Sequence, residues 1–387
     1  GAPQAAFAAE QAIDELAHKL GIDVVEFRLK NASHEGTLQV GGPRFKRVGA
    51  IEVLEQTKAT AHWNSPLGTP RPGHKRGRGL AIGFWFNIGL ESSVSISVNA
   101  NGAVTLIEGS TDIGGSRASI SMQAAEILGI RVEDVRPNVV DTASIGYTGV
   151  TGGSRTTFAT GIAAIEAAKS VITQMKARAA KVWGVPADDV TYDQNGTFSC
   201  STDASKHISF QDLAAKLDAT GGPVTGVGNV NPQGAGGAFA TNLVDVEVDP
   251  ETGKVTVVRY TSFQDVGRAI HPDYVEGQLQ GAMSQAIGWA LTEEYIYNKR
   301  GQVDNPGFLD YRMPVASDLP RLECGIIEIP NPKHPQGVKG VGEVPLVPVM
   351  AAVGNALHKA LGLRFYSLPM SPPKVLAALE PMAKAAE

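Results

Sequence analysis

The sequence of 387 residues has few cysteines, no long apolar run and no excess of positive charge, and each shortage excludes a class of protein. The only two cysteines, Cys200 and Cys324, cannot form a disulfide framework or a four-cysteine site for zinc or an iron–sulfur cluster. No apolar run approaches the roughly 20 residues that a membrane-spanning helix needs. The formal net charge of −5 provides no basic surface for nucleic acid. We therefore expect a cytoplasmic protein that neither crosses a membrane nor binds nucleic acid.

The beginning of the chain is expected to be mainly helical. Apolar residues recur at helical spacing over residues 4 to about 31, with a separate shorter piece at residues 24–30. Residues 62–78 are rich in proline, glycine and positive charge, which is typical of a linker. We therefore predict a helical N-terminal segment and linker over residues 1–75, followed by a larger domain over residues 76–387.

After the linker, the pattern changes to that of β-strands. Residues 80–85 and 93–98 favour extended structure, and Asn101-Gly102 predicts a hairpin turn after them. A second hairpin is predicted with its turn at residues 249–253. In both places a glycine-rich loop and a long helix follow the hairpin. This repeated order predicts an α+β fold with two similar sheet-and-helix subdomains, at about residues 76–235 and 236–387.

Three glycine-rich loops are each predicted to open a helix, at residues 109–117, 151–157 and 276–282. Free main-chain amides and the positive end of the helix dipole make a helix N-terminus suited to anions. Serine and glycine are also ordinary helix caps, so a single loop of this kind would be weak evidence. Three of them in one chain favour a polyanionic cofactor.

A fourth glycine-rich segment, residues 336–346, contains a single carboxylate. Gly337, Gly340 and Gly342 allow tight turns and the close approach of a ligand, and Glu343 follows them directly. The spacing fits neither a phosphate-binding P-loop nor a dinucleotide-binding fingerprint. Taken alone, such a pattern is more often a surface turn without chemistry. The alternative is that Glu343 is a catalytic base at a ligand-binding loop.

Taken in order, these segments resemble the C-terminal part of the molybdopterin-binding subunit of the xanthine dehydrogenase and aldehyde oxidase family of molybdenum hydroxylases. The resemblance covers almost the whole chain and rests on the order and spacing of short motifs rather than on any one of them. The segments that carry it are residues 1–4, 14–31, 111–114, 152–156, 277–278, 310–314 and 339–343.

The resemblance implies a molybdenum–molybdopterin cofactor, with the cytosine dinucleotide form as one possibility, and no direct protein ligand to the metal. In that family the glutamate matching Glu343 takes a proton from metal-bound hydroxide as it attacks an electron-poor carbon, so the product oxygen comes from water. The implied substrate is a small heteroaromatic compound, nicotinate- or xanthine-like, or an aldehyde. A carboxylate in this role supplies general-base help of roughly 10²- to 10⁴-fold.

The resemblance also assigns the cofactor contacts. Many family members have Gly-Gln-Gly where this chain has Gly114-Gly115-Ser116, so a glutamine amide is absent there. Each assignment has a structural alternative: the serines could be helix caps, the glutamine a helix-start residue and the lysine a surface residue. The expected cofactor-binding residues are Gly114, Gly115, Ser116, Gly152, Gly153, Ser154, Arg155, Thr156, Gln278, Lys339 and Gly340.

Partner chains are implied as well. The N-terminal half of the family's subunit would come from another chain if this subunit is naturally split, like the medium subunit of nicotinate dehydrogenases; otherwise the sequence is a truncated piece. An iron–sulfur subunit with [2Fe–2S] clusters and an FAD subunit are expected besides. Two further alternatives are a carbon monoxide dehydrogenase-like or aldehyde-oxidising subunit of the same family and a non-catalytic scaffold that binds molybdopterin.

Overall fold

The computed structural model describes residues 1–234 and 236–386, so the predicted boundary at residue 235 and the last residue lie outside the described part. The helices are α1 (Ala2–Lys19), α2 (Val24–Asn31), α3 (Ala50–Ala59), α4 (Ala61–Asn64), α5 (Ser116–Leu128), α6 (Gly161–Trp183), α7 (Phe210–Ala214), α8 (Leu217–Thr220), α9 (Pro272–Leu291), α10 (Val349–Leu361) and α11 (Pro372–Ala386). The strands are β1 (Lys75–Trp85), β2 (Ser92–Val98), β3 (Val104–Glu108), β4 (Val135–Val139), β5 (Val190–Tyr192), β6 (Thr197–Cys200), β7 (Asp203–Ser209), β8 (Thr225–Val230), β9 (Ala238–Val248), β10 (Val255–Asp265) and β11 (Leu322–Ile327). A π-helical turn, Thr156–Thr160, leads directly into α6.

The chain begins with the two helices that the sequence predicts. Gly21 adopts a φ of +66° after α1, a conformation that a residue with a side chain rarely takes. The Asp23 side chain then caps α2, because its Oδ1 accepts hydrogen bonds from the amides of the second and third residues of that helix. A buried ion pair of 2.8 Å between Glu10 and Arg28 joins the two helices.

One four-stranded sheet has the order β1-β9-β10-β11, with β11 parallel to β10 and the other pairs antiparallel. Every residue of β9 is buried, because α10 and α9 cover one face of this sheet and α3 lies against the other. Helix α10 approaches β1 closely: a Cβ added at Gly79 would lie 2.1 Å from the Ala352 carbonyl oxygen. Glycine at this position therefore permits the contact between the helix and the sheet.

A second four-stranded sheet has the order β4-β3-β2-β8 and packs against α5 and α6. The predicted hairpins are confirmed, since β2 pairs antiparallel with β3 and β9 with β10. A small three-stranded sheet, β5-β6-β7, lies beyond α6. The α+β class is thus confirmed, with a sheet covered by helices in each half of the chain.

The segment predicted to be a linker, residues 62–78, has many exposed residues, but several of its side chains tie it to the adjacent sheet. His62 is fully buried, and the side chain of Arg76 forms a 2.8 Å ion pair with the buried Glu247 of β9. Arg78 pairs with Asp245 in the same way, at 2.7 Å. The positive charges that suggested a solvated linker therefore neutralise carboxylates on the adjacent strand, a pairing between residues far apart in the sequence.

The two sheets do not each consist of strands from one continuous part of the chain. β1 precedes the sheet formed by β2, β3, β4 and β8, yet it pairs with β9 along its whole length. The predicted limits of the domain and subdomains remain a proposal. In the described part of the chain, no helix is long and apolar enough to cross a membrane.

Candidate functional site

The loop before α5, the loop before α6, the first turns of α9 and the loop before α10 meet around one cavity of about 340 Å³. Eleven of the twelve residues predicted for the site line this cavity, Glu343 among them; the exception is Gly153. A Cβ added at Gly153 would lie 2.3 Å from Cγ1 of Ile88, so this glycine faces the protein interior. The structure thus brings together four segments that are far apart in the sequence.

Glu343 lies at the cavity beside Ser154. The Ser154 hydroxyl donates a 2.7 Å hydrogen bond to Oε2 of Glu343 and accepts one of 3.1 Å from the Glu343 amide. Among the described residues that line the cavity, Glu343 is the single carboxylate. The position is therefore suited to a proton acceptor whose orientation is set by a neighbouring hydroxyl.

Gly340 allows the two central loops to touch. A Cβ added there would lie 2.1 Å from the Ser154 carbonyl oxygen and 2.6 Å from the Ser154 Cβ. Both distances are far below van der Waals contact, and one of the atoms belongs to the main chain. A side chain at residue 340 would therefore push the Glu343 loop away from the Ser154 loop.

The ammonium group of Lys339 points away from the cavity into a buried ion pair. Its Nζ donates to Oδ2 of Asp265 at 2.5 Å and to the Arg47 carbonyl oxygen at 3.1 Å. The two side chains are 1% and 0% exposed. Burial lowers the pKa of Lys339 and raises that of Asp265, although their mutual attraction opposes both shifts. Lys339 therefore fixes the loop, and its charge is not presented to a ligand.

Arg155 is likewise engaged inside the protein, which limits its predicted contact with the cofactor. Its guanidinium donates to the carbonyl oxygens of Gly149 and Leu90, each at 3.1 Å, and to the Ser92 hydroxyl at 2.7 Å. Burial lowers the pKa of this fully buried side chain. Any contact that Arg155 makes with a ligand in the cavity is therefore through its main chain.

Two of the amides at the start of α5 are bonded within the chain, which argues against the expected anion site there. Oδ1 of Asp112 accepts hydrogen bonds from the amides of Gly115 and Ser116, at 3.0 and 3.1 Å, and from the Ser116 hydroxyl at 3.2 Å. Although partial burial acts in the opposite direction, hydrogen bonds from Arg117 and Gly115 lower the pKa of Asp112. A carboxylate of the chain itself thus occupies this helix N-terminus.

Gln278 lies in the second turn of α9, whereas the sequence predicted that it lies at the start of a helix. The helix begins at Pro272, four residues before the loop of residues 276–282 that was expected to open it. Nε2 of Gln278 donates to the Ile113 carbonyl oxygen at 3.1 Å. A Cβ added at Gly342 would lie 2.8 Å from Oε1 of the same side chain. Gln278 therefore connects the loop before α5 with the Glu343 loop.

Among the lining residues that the sequence analysis did not assign, three have charged or aromatic side chains: Arg268, His271 and Tyr274. Arg268 forms a two-bonded ion pair with Glu126 of α5, at 2.9 and 2.8 Å. The rings of His271 and Tyr274 stack with their centroids 3.9 Å apart. The sequence His271-Pro272 could have indicated where α9 begins, because proline is common at the first position of a helix.

The remaining lining groups include hydroxyls and glycine main chain, together with the aliphatic side chains of Ile113, Ile270, Val275, Val338 and Val341. Thr156 is 3% exposed, and its Oγ1 finds no hydrogen-bond partner in the described part of the chain. Around the ideal Cβ position of Gly152 there is no atom within 4 Å. Within residues 1–234 and 236–386, no group of three or more metal-ligating side chains was found. The cavity therefore offers a ligand a free hydroxyl, open space beside Gly152 and apolar surface.

Comparison with known protein families gives two matches with the same description. A family model described as molybdopterin cofactor-binding domain matches residues 51–320. A second model with the same description matches residues 1–32. The first match includes three of the four segments that form the cavity; the Glu343 loop lies beyond residue 320.

Similar proteins are known by sequence and by structure. The chain is 34% identical to the xanthine dehydrogenase molybdenum-binding subunit of Escherichia coli O157:H7 over 97% of its own length and 52% of that protein. The aldehyde oxidoreductase from Desulfovibrio gigas superposes with a TM-score of 0.82 at 27% identity, covering 98% of this chain and 41% of that one. The CO dehydrogenase from Oligotropha carboxidovorans has a TM-score of 0.88 at 22% identity, covering 99% and 52%, which shows a shared fold alone. The chain thus spans about half the length of the curated relatives it matches.

Proposed function

The chain belongs to the family of molybdopterin cofactor-binding domains, and from this premise we propose that it forms part of a molybdenum hydroxylase in which Glu343 is the catalytic base. The observation that supports this role is the position of Glu343 as the single carboxylate among the described residues that line the cavity. One class of candidate function is therefore an oxidoreductase subunit. The other is a cofactor-binding scaffold without turnover.

The residues of the cavity fit a pterin cofactor. Its volume, about 340 Å³, lies in the usual range for sites of small molecules and cofactors. The unpartnered hydroxyl of Thr156 and the open space beside Gly152 provide a donor and room for the acceptor-rich edge of a pterin or its phosphate. Gln278 and the Ser116 hydroxyl line the same cavity. These groups would hold the cofactor through hydrogen bonds rather than through charge.

The reaction would use Glu343 to move one proton. When bound, the cofactor supplies the redox chemistry, and the oxygen added to the substrate derives from water. Glu343 accepts the proton at Oε1, because Oε2 is occupied by the Ser154 hydroxyl. Gly340 and Gly342 line the cavity on the Glu343 loop and carry no side chains that would obstruct a substrate there.

The substrate proposed is a small heteroaromatic compound, nicotinate- or xanthine-like, or an aldehyde. The names of two relatives, a xanthine dehydrogenase subunit and an aldehyde oxidoreductase, support these two classes. A carbon monoxide dehydrogenase-like activity is the alternative within the family, and it rests on likeness of fold alone. The cytosine dinucleotide form of the cofactor is part of the same proposal.

The proposal includes partner chains, since the chain spans about half the length of its relatives. A chain corresponding to the N-terminal half would complete the cavity, and an iron–sulfur subunit with [2Fe–2S] clusters and an FAD subunit would carry electrons away. The complex would be cytoplasmic. Purification of this chain at native level from its host, followed by identification of the companions and of molybdenum, tests these proposals together.

Replacement of Glu343 by glutamine separates the enzyme from the scaffold. The complex should retain its molybdenum and lose turnover of xanthine, nicotinate or an aromatic aldehyde, whichever the wild type oxidises, by roughly 10²- to 10⁴-fold. Glu166→Gln, which removes an exposed carboxylate of α6, is the matched control and should leave both properties unchanged. A Glu343→Gln complex that retains most of its turnover would remove Glu343 from the mechanism.

A further inference from the structure

We propose that Ser154 is the positioning residue that sets the orientation of the Glu343 carboxylate, and not primarily a contact for the cofactor. This inference rests on the proposed function of Glu343 and goes beyond it. A serine in a glycine-rich loop is ordinarily taken as a cap or a ligand contact. Its geometry here indicates a different use.

The main chain of Ser154 is unfavourable for a residue with a side chain. Its φ is +54°, and the preceding residue, Gly153, has a φ of +71°. Residues other than glycine, asparagine and aspartate rarely adopt this left-handed conformation, because the Cβ comes close to the main chain. Glycine would remove the strain at residue 154, so the serine is retained against a conformational cost.

The two hydrogen bonds of the Ser154 hydroxyl account for this cost. The same oxygen donates to Oε2 of Glu343 and accepts from the Glu343 amide, at 2.7 and 3.1 Å. These bonds close a ring that includes the side chain and the main chain of Glu343, so the carboxylate cannot rotate without breaking one of them. With Oε2 occupied, Oε1 is the oxygen directed to proton transfer.

Both ends of this contact are held rigidly. The next residue, Arg155, fixes the Ser154 loop through the carbonyl oxygens of Gly89 and Leu90, in the segment before β2. On the other side, the Lys339 ammonium anchors the Glu343 loop to Asp265. Close contact at Gly340 excludes a Cβ between the two loops. The Ser154 hydroxyl therefore lies between two loops that buried side chains anchor, as a positioning group requires.

The test uses the purified complex with Ser154→Ala. We expect unchanged molybdenum content, an unchanged KM and a fall in kcat of roughly 10- to 100-fold, as for the loss of one hydrogen bond to a charged group. The acidic limb of the pH profile of kcat should move to higher pH, because the ionised carboxylate loses a donor. Ser97→Ala, which removes an exposed hydroxyl bonded to Thr225, is the control.

A second readout is independent of turnover. In the full chain with ¹³C-labelled glutamate, the resonance absent from Glu343→Gln identifies this carboxyl group, and its titration midpoint should be higher in Ser154→Ala than in the wild type. Ser154→Gly relieves the left-handed strain and should shift the midpoint in the same direction, which keeps the test valid if the alanine variant folds poorly.

The outcomes distinguish the two proposals. A fall in molybdenum content that parallels the loss of activity would assign Ser154 to the cofactor and overturn the inference, as would an unchanged midpoint together with kcat within about twofold of the wild type. If Glu343→Gln remains active while the midpoint still shifts in Ser154→Ala, the contact between the two residues is established and the proposed catalytic role of Glu343 fails.

Discussion

Replacement of one partner of the buried Lys339–Asp265 pair should be among the most destabilising single changes in this protein. The two side chains are 1% and 0% exposed, so water cannot compensate for the loss of either charge. Removal of one member of a buried ion pair typically costs about 3–5 kcal/mol, because the other charge stays buried without a partner. Asp265 also accepts hydrogen bonds from the amides of Gly49 and Gly267, at 2.9 and 3.2 Å. We therefore expect Asp265→Ala at the upper end of this range.

The double variant Lys339→Met/Asp265→Asn separates the effect of an unpaired buried charge from the effect of altered packing. Both charges are removed together, and the asparagine oxygen can still accept a hydrogen bond from Gly49. Burial shifts the pKa of both groups towards their neutral forms, which indicates that desolvation costs more than the pair recovers. The double variant should therefore lose much less free energy of unfolding than the sum of the single variants, on the order of 1–2 kcal/mol.

The sign of the pH dependence follows from the same burial. In Lys339→Met, Asp265 remains buried without its partner, so its folded-state pKa lies above the unfolded value of about 3.9. A group of this kind stabilises the fold fully below the unfolded-state pKa and loses that contribution as the pH rises through the folded-state value. Urea unfolding followed by tryptophan fluorescence should show this variant to be more stable at about pH 5 than at about pH 8, relative to the wild type.

Lys169→Met is the control, since it breaks an exposed pair of 2.8 Å with Glu166 and should cost about 0–1 kcal/mol. The reasoning would be refuted if Asp265→Ala were as mild as this control. It would also be refuted if the double variant were as unstable as the two single changes combined, because the loss would then come from packing and not from an unpaired charge.

Two further predictions follow from particular contacts. Burial raises the pKa of Glu247, but hydrogen bonds from Arg71 and Arg76 outweigh it and lower this pKa to about 2. The contribution of Glu247 to stability should therefore be lost as the pH falls from about 4.3 towards 2. Acid unfolding of Glu247→Gln should lack this part of the transition. Gly340→Ala should destabilise the loop by about 1–3 kcal/mol and lower turnover, since the added Cβ would lie 2.1 Å from the Ser154 carbonyl oxygen. Gly281→Ala, in α9 with open space around its Cβ position, should instead be neutral or stabilising in the same unfolding assay.

Much of the fold follows from local patterns in the sequence. The hairpin turn at Asn101-Gly102 and the alternation in β2 depend on neighbouring residues, and the structure has them as expected. The ion pairs that tie residues 62–78 to the sheet were not predicted, because their carboxylate partners on β9 are about 170 residues away. Composition alone cannot distinguish a solvated arginine from one that neutralises a buried carboxylate.

The candidate site, like the fold, was only partly predictable from the sequence. Eleven of the twelve residues predicted from the motifs line one cavity. The contacts that several of their side chains make there could not be predicted from the sequence. Ser154 and Glu343 are 189 residues apart, and nothing in the local sequence of either indicates their contact. Asp112 was the exception, because it lies only four residues before the start of α5 and its bonds to the Gly115 and Ser116 amides are local. It should have indicated that these amides were already bonded.

The positions of the two buried cations suggest why the cavity can have a wall of glycine and hydroxyl groups. A loop made of small residues has little packing of its own and would ordinarily be mobile. Here Arg155 holds the Ser154 loop from behind and Lys339 holds the Glu343 loop from behind, each through bonds to groups inside the protein. Because these two charges are bonded inside the protein, the Ser154 and Glu343 loops present neither of them to a ligand. The orientation of Glu343 then depends on interactions outside the cavity, so changes at Arg155 or Lys339 should act on catalysis through geometry rather than through the charge presented to the cofactor.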